Sequence, residues 1–266
     1  MKTKGAILGL TVLLLSAPVI YLVFTNNLIF QFQEKPLSRE EARRLSQAIT
    51  VRLLGESGAG SGVLIAFDGS SYTALTNRHV LELMGNEFQV LTADGMLHKG
   101  KKLLENRFQG LDLALVSFTA PRKYTVAPIA TNIKKIKPQA KLYAAGFPNY
   151  RAVTPDRLED TRSWGIRAFH FTQGNFVMRL KDKSLEGGYQ LGYSNEVEQG
   201  MSGGPVLDAY GRIVGVNGRL KYPIQGIDAF PFTDGTKPTK EEYEVMESLS
   251  WAVPIPDFLV SRGIEQ

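Results

Sequence analysis

Apolar residues recur along most of this chain in short runs broken by glycine, proline and aspartate turns. That rhythm belongs to strands rather than to long helices. Val63-Leu64-Ile65-Ala66-Phe67 and Tyr72-Thr73-Ala74-Leu75-Thr76 flank Asp68-Gly69, a β-hairpin signature. Residues 88–92 and 111–118 predict two more strands, the first followed by a second turn at Asp94-Gly95. Beyond a stretch carrying Pro121, Pro128 and Pro138, strands are expected at 141–146, within 169–180, at 190–193, at Val206-Leu207, at 213–216 and at Trp251-Ala252-Val253. Helices interrupt the strands in few places. Ser38 with Glu41 is a capping box, and Leu45, Ile49 and Leu53 continue a helical stripe behind it, although Ile49-Thr50-Val51 could equally begin a strand. Thr239 with Glu242 caps a short acidic helix in a piece, 226–247, that reads as an insertion, and residues 256–261 form a terminal helix. Many short strands with turn signals predict an all-β barrel or sandwich.

One segment departs from this pattern. Residues 5–24 carry no charge and follow Lys2 and Lys4. A helix of that length, at about 1.5 Å per residue, crosses a hydrocarbon core of roughly 30 Å. Leu28, Ile29, Phe30 and Phe32 extend the apolar character, and the small pair Ser16-Ala17 runs into Pro18 rather than into a polar exit. The expectation is an uncleaved signal anchor, a transmembrane helix over 1–32, with the rest of the chain outside the cytoplasm in a periplasm or lumen. Secretion after signal cleavage is the alternative. The expected layout continues with a connecting helix at 33–45, a first β unit at 46–125, a linker at 126–140 and a second β unit at 141–266.

Composition narrows the chemistry. Of 266 residues, 43% are hydrophobic and 21% charged, enough apolar material for a sizeable core. The net charge of +5 is scattered over pairs such as Arg43-Arg44, Lys101-Lys102 and Lys134-Lys135, with no basic block interleaved with aromatics, so nucleic acid is not an expected partner. Cysteine is absent, which removes thiol nucleophiles, disulfides and thiolate metal sites. No H-E-x-x-H stretch is present, and no metal or cofactor is expected.

The most distinctive stretch is Gly200-Met201-Ser202-Gly203-Gly204-Pro205. Glycines around one serine let a loop aim backbone N–H groups at a developing oxyanion; an ordinary glycine turn is the plain alternative. Gly200, Ser202 and Gly204 also fit the G-x-S-x-G elbow of α/β-hydrolases, whose histidine follows the serine. Here the three histidines, at 79, 98 and 170, all precede Ser202, which excludes that arrangement. A serine needs a base. His79, after a strand in Asn77-Arg78-His79, is the best candidate, with a surface histidine as the alternative; His98 and His170 have the look of exposed or satisfied strand residues. Asp112 stands inside an apolar run, where a carboxylate is costly unless paired. It either orients an imidazole or caps a turn with Gly110.

Together these stretches resemble the trypsin-like serine protease superfamily, most closely its bacterial HtrA-like branch. The resemblance rests on Gly60-Ser61-Gly62-Val63-Leu64-Ile65, Leu75-Thr76-Asn77-Arg78-His79-Val80, Asp112-Leu113-Ala114-Leu115-Val116 and Gly200-Met201-Ser202-Gly203-Gly204-Pro205-Val206, spaced by 33 residues from His79 to Asp112 and 90 from Asp112 to Ser202. It covers roughly residues 46–262. It implies two six-stranded antiparallel β-barrels of the chymotrypsin type with a short C-terminal helix. It further implies His79 as general base, Asp112 as its orienter, Ser202 as nucleophile and the N–H groups of Gly200 and Ser202 as oxyanion hole. The expected activity is that of a serine endopeptidase acting on polypeptides through an acyl-enzyme; a catalytically silent, peptide- or partner-binding relative is the alternative. The resemblance also implies that Glu196, six positions before Ser202, forms the base of the primary substrate pocket, with walls from residues 197–199 and 217–220, Asn217 and Gly218 included, and a carboxylate there would favour Lys or Arg; Glu196 pointing to solvent, with a small or apolar pocket, is the competing expectation. Met201 replaces the aspartate that pairs with a new N-terminus in zymogen-activated trypsins, so activation by N-terminal cleavage is not expected. The chain stops at Gln266, so no PDZ domain is expected either.

Overall fold

The computed structural model describes residues 35–154 and 156–262. The apolar run at 5–24, and with it the expected signal anchor, lies outside the described residues. Among the described residues no helix is long and apolar enough to cross a membrane.

The described chain opens with helix α1 (Arg39–Ile49), started by the reciprocal Ser38–Glu41 capping box and ended where the β-branched Thr50 takes an extended conformation. Its stripe Ala42, Leu45, Ser46 and Ile49 is buried. The first half of the protein then runs β1 (Thr50–Gly55), β2 (Ala59–Phe67), β3 (Ser71–Thr76), helix α2 (Arg78–Glu82), β4 (Phe88–Leu91), β5 (Leu97–Lys99), β6 (Lys101–Leu103) and β7 (Ala114–Thr119). These strands form one antiparallel sheet in the order β5-β4-β1-β2-β3-β7-β6. The expected six-stranded barrel is a seven-stranded sheet, because one stretch of chain breaks at Gly100, whose N–H turns to the Phe88 carbonyl at 3.0 Å. Its two halves, β5 and β6, pair with opposite edges of the sheet, β4 and β7. The sheet is thereby curled nearly into a barrel.

The second half runs β8 (Lys141–Gly146), the hairpin β9 (Tyr150–Thr154) and β10 (Arg157–Asp160), β11 (His170–Arg179), β12 (Leu191–Tyr193), β13 (Pro205–Asp208), β14 (Ile213–Arg219), helix α3 (Lys240–Met246), β15 (Ser250–Pro254) and helix α4 (Asp257–Arg262). Strands β11-β12-β15-β14-β13-β8 close into a six-stranded barrel, with β9 and β10 paired apart from it. The expected strand at 111–118 starts later, at Ala114, so Asp112 lies in the bend before β7 and not inside the strand.

The period-2 alternation of strand side chains divides the core in three. Leu64, Tyr72, Ala74 and Val116 point into the first barrel. Leu142, Ala144, Val206 and Val214 fill the second. The opposite faces, with Val63, Leu75 and Leu115 from the first sheet and Tyr143, Ala145 and Leu207 from the second, join Leu45 and Ile49 of α1 in a third cluster. Each fully buried large side chain of this kind is worth about 1.5–3 kcal/mol. Helix α1, expected as a connector, is thus part of the packed body: the Leu37 N–H donates to Ala209 O at 2.8 Å and the Tyr143 hydroxyl to Leu37 O at 3.2 Å.

Candidate active site

Strand β3 delivers the chain to His79. The Thr76 hydroxyl at its end donates to Ser61 O at 2.7 Å, and Asn77 then leaves the sheet in an extended conformation and starts α2. A five-residue helix has too few hydrogen bonds to stand alone. Val80 and Leu81, buried in the first barrel's core, hold it down, and the Asn77 amide ties its base to Asp112 O at 2.7 Å. The His79 side chain, 40% exposed, faces a cleft. Its Nδ1 is 2.6 Å from Asp112 Oδ2, and its backbone N–H donates to Asp112 Oδ1 at 3.0 Å. A carboxylate only accepts, so Nδ1 carries a proton, and in the neutral form of the ring Nε2 is the nitrogen with its lone pair free.

Asp112 is 11% exposed at its side chain, and it is not left to His79 alone. The Tyr189 hydroxyl, arriving from the second half of the chain, also donates to Oδ2. Burial pushes the Asp112 carboxyl up, but the His79 hydrogen bond and charge, the Tyr189 hydroxyl and the His79 backbone N–H outweigh it and hold the group below its ordinary value. Asp112 therefore stays ionised at neutral pH. Burial first, and the Asp112 charge second, keep the Tyr189 phenol well above its usual range, so it remains a donor.

The Ser202 loop is seated by β2. Ser61 N–H donates to Ser202 O at 2.8 Å, and the Ser61 hydroxyl donates to Gly200 O at 2.8 Å while accepting from Phe147 N–H at 2.8 Å. Gln199 O accepts from Asn149 N–H at 2.7 Å. In a trans peptide the C=O and N–H point oppositely, so the Gly200 N–H is turned away from Asn149. This orientation goes with φ of +97° at Gly200, where a Cβ would also sit 2.6 Å from Asn149 N. Among the described residues neither Gly200 N–H nor Ser202 N–H finds an acceptor. Met201, between them, is wholly buried in the second barrel's core.

The structure thus joins His79 directly to Asp112 and rests the Ser202 loop on the strands that lead to His79. Glu196 is placed otherwise than at a pocket base. Asn195 and Val197 take the buried positions on either side, so the Glu196 side chain turns out, 71% exposed, to Lys221 Nζ at 3.1 Å. Asn217 is also spent: its amide donates to Ala145 O at 3.1 Å and its oxygen accepts the Tyr193 hydroxyl inside the barrel. Gly218 does line the cleft, a cavity of about 400 Å³ walled by His79, Asp112, Tyr189 and Arg219. His98 bonds Tyr124 at 3.1 Å, and His170 accepts from Arg151 at 2.7 Å; both are satisfied away from Asp112. Among the described residues no group of three or more metal-ligating side chains comes together. Sequence reasoning missed Tyr189 and did not assign Ser61 or Asn149 a role. The one signal for Tyr189 was a phenol next to two glycines in Gly187-Gly188-Tyr189.

Two β-barrels, one closed and one nearly so, with a histidine–carboxylate pair and a glycine-framed serine loop, define a protein of the chymotrypsin fold. The trypsin-like peptidase domain family matches residues 60–216, more than half of the chain, and the chain belongs to that family of serine proteases. No curated protein matches it significantly. Solved structures similar to it include a serine endoprotease from Yersinia pestis, at a TM-score of 0.55 and 20% identity over 86% of this chain and 69% of that one. The HtrA-type protease AlgW, solved with a tripeptide, is similar at a TM-score of 0.58 and 17% identity, over 86% of this chain and 62% of that one.

Proposed function

We propose that this chain is a serine endopeptidase that works through His79, Asp112 and Ser202. The observation that carries the proposal is the His79–Asp112 pair, in which Nδ1 is bound to a buried, ionised carboxylate at 2.6 Å and Nε2 is left free as a base. In the reaction Ser202 Oγ attacks the scissile carbonyl carbon and His79 Nε2 takes its proton. The carbonyl oxygen becomes an oxyanion facing the N–H groups of Gly200 and Ser202. Collapse breaks the C–N bond, and the proton on His79 passes to the leaving amine. Water then attacks the Ser202 ester with His79 again as base, releasing the acid and restoring the serine. Gly218 belongs to the substrate-facing wall, because it lines the cleft beside His79.

The proposal extends to location. The uncharged run at 5–24 behind Lys2 and Lys4 serves as a signal anchor, tethering a peptidase outside the cytoplasm. Protease protection and alkaline extraction of membranes should find the peptidase body protected from cytoplasmic protease and retained in the membrane; a soluble mature form starting near residues 18–32 contradicts the anchor. For the activity itself, Ser202→Ala should abolish hydrolysis of peptide substrates while the protein keeps its melting temperature, and undiminished turnover by that variant refutes the assignment.

A further inference from the structure

Tyr189 has no part in the three-residue mechanism, yet it is buried against it. It lies just before β12 and lines the same cleft as Arg78, His79 and Glu82 of α2. The loop that carries it grips Asp112 twice. Asp112 N–H donates to Gly187 O at 2.7 Å, and the Tyr189 hydroxyl donates to Asp112 Oδ2, the oxygen that also receives His79 Nδ1–H. The loop is itself closed on its own backbone, Leu185 N–H to Tyr189 O at 3.0 Å and Gly188 N–H to Leu185 O at 2.9 Å. The phenol reaches Asp112 through space kept empty at Gly218, where a Cβ would stand 2.0 Å from the hydroxyl oxygen. Over the ring lies the Arg219 guanidinium, 4.8 Å from its centroid and fixed by donation to Glu186 O at 2.8 Å and to Ala229 O. The ring therefore has little freedom, and its hydroxyl is aimed at one acceptor.

We infer that Tyr189 is a positioning residue for the hydrolytic reaction, through which the second barrel sets the Asp112 carboxylate that orients His79; the inference rests on the function proposed above. The Tyr189 bond does two things. It stops the carboxylate from rotating, so that Oδ1 stays on the His79 backbone N–H and Oδ2 on Nδ1–H. It also draws negative charge away from the oxygen facing the imidazole. Without it, the full charge of Oδ2 would stabilise the protonated imidazole more strongly, and the base would be ready for Ser202 over a narrower range of pH.

The test is Tyr189→Phe, which keeps the ring under Arg219 and removes the hydroxyl alone. Turnover of a peptide substrate is measured from about pH 5 to 9, with kcat normalised to sites titrated by a fluorophosphonate, so that any unfolded fraction drops out. A carboxylate free to rotate no longer holds His79 in line with Ser202, and that loss of positioning corresponds to about a tenfold loss of kcat. The expected result is that loss with KM unchanged and with the acid limb of the kcat/KM profile moved to higher pH. A wild type that reacts and turns over, beside a Tyr189→Phe variant with the same kcat and the same limb, overturns the inference and leaves the proposed function standing. A fall in kcat with an unmoved acid limb also overturns it, since a purely structural role predicts that pattern. A wild type that neither reacts nor turns over overturns the proposed function and this inference with it.

Discussion

Replacing Asp112 by Asn exchanges one carboxylate oxygen for an NH₂ group, removes the charge and tests the electrostatics of the site. The carboxylate accepts three hydrogen bonds: His79 Nδ1–H and the Tyr189 hydroxyl on Oδ2, and His79 N–H on Oδ1. An amide has one acceptor oxygen. The backbone N–H at 3.0 Å cannot turn away, whereas the imidazole can change tautomer and a phenol can rotate. The amide oxygen therefore stays on the backbone N–H, and the amide NH₂ faces Nδ1. His79 answers by moving its proton to Nε2, where it can no longer accept from Ser202. The charge that would stabilise the protonated imidazole is lost as well. Counting two charge-assisted bonds at about 1.5–3 kcal/mol each gives about 3–6 kcal/mol on the barrier. At roughly 1.4 kcal/mol per decade this is about 10²- to 10⁴-fold in kcat/KM. Peptide hydrolysis and the rate of fluorophosphonate inactivation at pH 7.5 measure it, with thermal melting as the control for folding. Activity within threefold of wild type, in a protein that melts normally, refutes the reasoning.

Two further outcomes follow from charged groups outside this pair. His170 is held neutral by burial and by Arg151, its value lowered from 6.5 to about 4. Because the unfolded chain gains that proton first, the stability His170 contributes is present above pH 6.5 and is lost as pH falls toward 4, by roughly 2 kcal/mol once solvent screening of the partly exposed ring is allowed for. Burial pushes the Glu198 carboxyl up, which acts in the opposite sense; because Glu198 Oε1 lies 3.3 Å from His170 Nε2, both proteins are compared in a Glu198→Gln background. Urea melts at pH 7 and pH 5 should show the protein with His170 losing more stability than the one with His170→Asn, and equal losses contradict the assignment. Glu196→Gln should leave the ratio of kcat/KM for substrates with Arg and Val at the cleavage position unchanged, because Glu196 is exposed and paired with Lys221; a drop in the Arg preference would place it in the pocket after all.

Much of the fold was legible wherever a local rule carries long-range weight. The hairpin of β2 and β3 was marked by Asp68-Gly69 between alternating runs, and both capping boxes, at Ser38 and at Thr239, open helices where expected. Helix α2 was not legible, since five residues show no helical period. Nor was the hairpin of β9 and β10, whose strands bury almost nothing and so carry no apolar alternation. His79 and Asp112 could be picked out because a carboxylate amid apolar neighbours needs a partner, although Asp112 proved to stand in the bend before its strand. Tyr189 could not, because its bond to Asp112 spans 77 positions and depends on space left by Gly218. Ser61 likewise meets Gly200 across 139 positions. Glu196 shows the opposite failure. A position counted back from the serine says nothing about which way the side chain turns, and burial of Asn195 and Val197 turned it outward.

The central claim is that Ser202 is a nucleophile activated by His79. It is tested most directly by treating the protein with a fluorophosphonate and locating the adduct by peptide mass spectrometry, in wild type and in His79→Ala. The account predicts a single covalent adduct on Ser202, formed rapidly by wild type and slower by about three orders of magnitude or more in the folded His79→Ala protein. No adduct on Ser202, or labelling at the same rate without His79, would contradict it.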